Sequence, residues 1–97
     1  MAGWFIGDFQ PTLLKTQEVE VAVKRFKKGD TEPTHKQIVV TEISVLIYGS
    51  ARIGTMHLNE GDVLVISPGE YADFEALSDC ALVCTKFPSI PSDKLLA

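Results

Sequence analysis

Ninety-seven residues, 45% of them hydrophobic and 23% charged, suffice for one hydrophobic core and exclude a multidomain chain, a disordered polymer or a disulfide miniprotein. Nine Lys and Arg face thirteen Asp and Glu, a net charge of −4 that weighs against a general nucleic-acid binder, because phosphate backbones reward a cationic excess. No stretch approaches the ~20 apolar residues of a membrane helix, and Met1 to Asp8 has neither the basic start nor the long apolar run of a secretory signal, so the expectation is a cytoplasmic protein without a membrane partner.

Along the chain, short alternating or apolar runs recur between Gly, Pro, Asp and Asn, while helical periodicity is scarce. The N-terminal run Trp4-Phe5-Ile6 with Phe9 carries more apolar area than a free arm should leave in water, which predicts a homodimer built through that arm. Val19, Val21 and Val23 alternate with Glu20, Ala22 and Lys24 as in a half-buried strand, and Lys28-Gly29-Asp30 turns after it. The basic run Lys24, Arg25, Lys27 and Lys28 reads as solvated charge rather than as a phosphate site.

Glu42 to Tyr48 forms the next strand, with Ile43, Val45 and Ile47 on one face and Glu42, Ser44, Leu46 and Tyr48 on the other. Residues 51–58 read as a hairpin about Gly54-Thr55, with His57 an exposed strand residue. Asn59 to Asp62 and Ser67 to Glu70 are turns flanking the apolar strand Val63–Ile66. Two further strands, 71–76 and 80–87, follow, and Pro88 and Pro91 mark the end of the sheet. Cys80 and Cys84, four apart in an extended segment, would stand roughly 13 Å apart, too far for a disulfide, so free buried thiols are expected. About seven strands joined by tight turns predict an all-β protein, a sandwich or small barrel, with a single domain over 1–97.

The informative segment places Gly29, His35, Gln37, Glu42 and Gly49 at fixed intervals, and Gly61-Asp62 and Pro68-Gly69 then bracket a hydrophobic strand. This pair of motifs resembles the two motifs of the cupin superfamily, and the spelling around Asp73-Phe74-Glu75-Ala76 and Lys86-Phe87-Pro88-Ser89 is similar to its short, single-domain members. The resemblance implies a double-stranded β-helix, or jelly-roll barrel. It also implies a site inside the barrel where two His, a Glu and a third His converge on a divalent ion such as nickel, zinc, iron or manganese. Here His35 and Glu42 stand at their motif positions, Gln37 replaces the second His, and Ala72 falls where the third His would be.

A neutral amide is a poor substitute for imidazole, and stable transition-metal sites use three or four strong donors. At most a weakly bound metal on His35, Gln37 and Glu42 is therefore expected, with no firmly held cofactor. Asp73 is displaced from the site by alternation, which points it to the opposite face from residue 72. The expected pocket is lined by His35, Gln37, Glu42, Tyr48 and Phe74, with Lys86 near its mouth. Three function classes follow: a module binding a small polar or, by resemblance, sugar-like ligand; a metal-dependent isomerase or dioxygenase using His35 and Glu42; and an assembly protein whose barrel is filled, with His35, Gln37 and Glu42 satisfying one another.

Overall fold

The computed structural model describes residues 3–96. Ten strands occur and no helix among these residues: β1 (Trp4–Ile6), β2 (Glu20–Phe26), β3 (Thr31–Lys36), β4 (Thr41–Tyr48), β5 (Ser50–Ile53), β6 (Met56–Asn59), β7 (Val63–Ile66), β8 (Ala72–Ala76), β9 (Cys80–Phe87) and β10 (Leu95–Leu96). They form two five-stranded sheets, β1-β2-β9-β4-β7 and β10-β3-β8-β5-β6, every named pairing antiparallel. The all-β expectation holds, with three strands beyond the seven read from the sequence. The chain does not leave the sheets at Pro91, because β10 returns to pair with β3.

Turn chemistry sets the register. Three tetrads, Lys27 to Asp30, Asn59 to Asp62 and Ser67 to Glu70, share one construction. The fourth residue's amide donates to the first residue's carbonyl at 2.9, 3.0 and 3.2 Å, and its carboxylate accepts the first residue's amide at 2.8, 2.7 and 3.0 Å. The third residue is a glycine at φ +92°, +86° and +85°, the left-handed geometry that a type II turn demands at that position. The predicted hairpin is present, with Ile53 opposite Met56 across Gly54 at φ +57°, and exposed His57 meets the Ser50 hydroxyl at 3.0 Å.

The core occupies one end of the space between the sheets, where Leu46, Ile53, Leu58, Ile66, Phe74 and Leu82 pack with Ala51, Ala76 and Cys80. Phe26 leans on Phe74 with ring centroids 4.4 Å apart. Each fully buried large side chain contributes on the order of 1.5–3 kcal/mol. Cys80 and Cys84 are both buried and free.

Alternation in the first sheet runs opposite to the usual inward-apolar pattern. Along β2 the buried residues are Glu20 and Ala22, whereas Val21 and Val23 face outward; along β4 they are Glu42, Ser44 and Leu46, with Ile43 and Val45 outward. The N-terminal run is not a free arm: β1 pairs with β2 of the same chain, and Trp4, Phe5 and Ile6 are half-buried there. Trp4 stands opposite Ala22, and the ammonium groups of Lys24 and Lys86 lie 5.4 and 5.0 Å from its ring centroid, within cation–π range. Behind it Glu20, 2% exposed, accepts from the Ser89 hydroxyl at 3.0 Å, and that oxygen accepts from the Asp8 amide at 2.8 Å. One buried carboxylate thus joins both terminal segments to the barrel.

The glycines differ in a testable way. A Cβ at Gly49 (φ +85°) would collide with the Asp79 carbonyl and approach the Cys80 Cβ to 2.7 Å, while one at Gly61 (φ +86°) would meet nothing. Gly61→Ala should cost only the backbone term of about 1–2 kcal/mol, and Gly49→Ala about 1–3 kcal/mol more from overpacking. Urea denaturation of the two variants checks this ordering.

Candidate functional site

The barrel interior next to the core is polar. A cavity of about 30 Å³ there is lined by Lys24, Glu32, His35, Gln37, Glu42, Ser44 and Cys84, against apolar walls that include Ile66, Phe74 and Leu82. Strand register explains the convergence. Glu42, Ser44 and Leu46 are alternate residues of β4, and Ser44 faces Cys84 of β9 directly. From the second sheet, His35 of β3 stands opposite Ala72 of β8, and Glu32 opposite Phe74. Pro33, lacking an amide hydrogen, falls where the β3–β8 register shifts between Glu32 and His35, as proline in a sheet must, and the bulge returns His35 to the inner face.

Gln37 is 2% and Glu42 8% exposed. The Gln37 side-chain amide donates to Glu42 Oε1 at 3.4 Å, and the Ser44 hydroxyl donates to Oε2 at 3.1 Å and lies 3.9 Å from Cys84 Sγ. Burial, reinforced by the Glu42 charge, pushes the Cys84 thiol up to about 12, so it is no nucleophile near neutral pH. His35 is half-buried and outside this network; its Nδ1 lies 3.1 Å from the Pro33 carbonyl. Since a carbonyl only accepts, Nδ1 carries the proton of the neutral ring and Nε2 keeps its lone pair.

The loop carrying Gln37 is held from outside. The Asp93 carboxylate accepts the amides of Ile38 at 3.0 Å and of Val39 and Val40 at 2.8 Å. Partial desolvation would raise its pKa, but these three amides, with Lys86, bring it below the ordinary aspartate value. The Gly69 amide donates to the Gln37 carbonyl at 2.8 Å.

Of the five expected pocket residues the structure brings His35, Gln37, Glu42 and Phe74 to one cavity, and Tyr48 lies elsewhere. A register shift between Leu46 and Tyr48 sets Tyr48 opposite Ala81, so it loses the inward phase of Glu42, Ser44 and Leu46. It is 42% exposed and borders a surface depression with Arg25, Lys27 and Asp79. Asp73 points away from the interior, paired with Arg52 at 2.9 and 3.0 Å, and this guanidinium holds its carboxyl below the usual range. Ser44, Cys84, Lys24 and Glu32 were missed. Counting two residues on from Glu42 would have found Ser44, whereas Lys24 follows only from the inward phase of Glu20 and Ala22 that the structure shows.

The donor set does not fit a tightly held metal. Both Glu42 oxygens accept hydrogen bonds, Gln37 turns its NH2 rather than its carbonyl oxygen toward Glu42, and Ala72 supplies nothing. Among the described residues no three His, Cys, Asp or Glu side chains converge as a metal would require.

No family model matches the sequence, and no curated protein does. Solved structures do match in fold. An uncharacterised conserved protein with a double-stranded β-helix domain from Klebsiella pneumoniae is 22% identical, with a TM-score of 0.78 over 87% of this chain and 74% of that one. An RmlC-like cupin from Desulfovibrio desulfuricans is 21% identical, with a TM-score of 0.72 over 77% and 76%. Bacillus subtilis oxalate decarboxylase, which has Mn(II) centres, is 21% identical, with a TM-score of 0.68 over 79% of this chain and 23% of its own. The fold is the cupin barrel.

Because residue 72 is the cross-strand partner of His35 and Gln37 borders Glu42, Gln37→His with Ala72→His should bring imidazoles to His35 and Glu42. Calorimetric titration with nickel should show weak binding by the natural chain and an affinity higher by orders of magnitude in the double variant. Equal, tight binding by both would mean that the natural donors already suffice.

Proposed function

We propose that the chain is a small-molecule-binding module whose polar barrel end receives a hydroxyl group of a small polar, carbohydrate-like ligand without a tightly held metal. The supporting observation is the buried trio of Glu42, Gln37 and Ser44 bordering the cavity. Glu42 takes part in none of the ion pairs found among the described residues, and its only partners there are an amide and a hydroxyl. A carboxylate held by neutral groups in a low-dielectric site binds a further hydroxyl donor strongly. His35, with its Nε2 lone pair, supplies a second acceptor at the same cavity, and Lys24 a cation.

The cavity limits what enters. About 30 Å³ holds roughly one or two waters, so the ligand inserts one hydroxymethyl or hydroxyl group while its body rests outside. That size also favours a second reading, in which the barrel is a filled scaffold and the trio satisfies itself.

Adding millimolar glycerol, D-glucose or D-galacturonate to isotopically labelled protein separates the two. The module predicts saturable shifts of the Gln37 side-chain amide resonances with at least one probe, weakened about tenfold or more by Glu42→Gln. Unmoved resonances with all three would leave the scaffold.

A further inference from the structure

The outer face of the first sheet carries an apolar surface that a solvated sheet would not keep. Register aligns two rows across four strands: Val23, Val83, Val45 and Val63 in one, and Val21, Thr85, Ile43 and Val65 in the other. Val63 is 60% and Val65 53% exposed, and Ile47, further along β4, 45%. An antiparallel sheet with one side in water alternates apolar inward and polar outward; here Glu20, Lys24, Glu42, Ser44 and Lys86 take the inner positions and valine and isoleucine the outer ones. The second sheet shows the ordinary pattern, with Arg52, Asp73 and Glu75 paired on its outside.

We propose that this face packs against the same face of a second copy of the chain, forming a two-fold dimer of stacked sheets. Three observations select a second copy over another partner. The eight positions of the two rows include no charged residue, so apposing the face to itself sets no like charges together and an acidic or basic partner finds nothing to pair with. A flat pleated surface of β-branched residues is self-complementary, since such sheets interdigitate about 10 Å apart. The area also suffices. The five strands, from three to eight residues long and six on average, span roughly 24 by 20 Å in plan at about 4.8 Å between strands and 3.4 Å per residue, which with side-chain relief reaches the small end of specific interfaces.

The dimer expected from the sequence thus gains a different surface: the N-terminal run is spent within its own chain on β2, and the valine rows take its place.

Sedimentation velocity on the full chain at about 10 μM tests the proposal. The natural protein should sediment at twice the chain mass. Val63→Lys with Val65→Lys, both exposed and remote from the core, should sediment at the chain mass with an unchanged circular dichroism spectrum, a loss of at least 100-fold in dimer affinity. Arg52→Ala, on the outside of the other sheet, should leave the dimer intact. A natural chain that is monomeric at 100 μM, whatever other protein it captures, would overturn the proposal, as would a dimer that survives the double lysine variant.

Discussion

Phase along the first sheet governs both faces of the protein. Because β2, β4 and β9 turn Glu20, Glu42, Ser44, Cys84, Lys24 and Lys86 inward, the barrel interior cannot be uniformly apolar. The core gathers around Leu46, Phe74 and Leu82, and a polar cavity opens directly beside it. The same phase sends valine and isoleucine outward. Polar pocket and apolar outer face are two sides of one alternation, since a one-residue slip would move every side chain of a strand to the other face.

Such a phase is costly unless the buried polar groups are satisfied, and they are. Among the described residues no buried side-chain nitrogen or oxygen lacks a partner. Glu42 is held by Gln37 and Ser44, and Glu20 by Ser89. These bonds require that loops, not only strands, be fixed. Asp93 gathers three successive amides of the segment after Gln37, while the Gly-acid turns start neighbouring strands in register. Loss of one buried partner would leave the other desolvated and unpaired, a penalty larger than the net worth of the bond.

Much of this was legible in the sequence, and the exceptions have physical causes. Seven strands followed from apolar alternation and from turn residues whose geometry recurs three times. The strand that carries His35 did not, because Thr31-Glu32-Pro33-Thr34-His35-Lys36 has no apolar alternation and its proline argues against a sheet; it is admitted only through a bulge. The motif spacing nevertheless singles out His35, Gln37 and Glu42, which line one cavity, since motif intervals survive where local propensity fails. Tyr48 was misplaced because a register shift breaks period two, and a bulge leaves no simple mark on composition. The inward phase of β2 was unreadable locally: a strand of alternating Val and polar residues looks the same whichever side it buries.

The most direct test of that phase is the reactivity of the native thiols. Cys80 and Cys84 share the inner phase of β9 with Leu82, and the Cys84 thiol is pushed up to about 12. In the Val63→Lys, Val65→Lys variant, where a second copy cannot shield the outer face, a chromogenic disulfide reagent at pH 8 should find no reactive thiol in the folded protein and two per chain after denaturation. A thiol that reacts rapidly in the folded variant would place the even-numbered residues of β9 outside, contradicting both the polar interior and the apolar outer face.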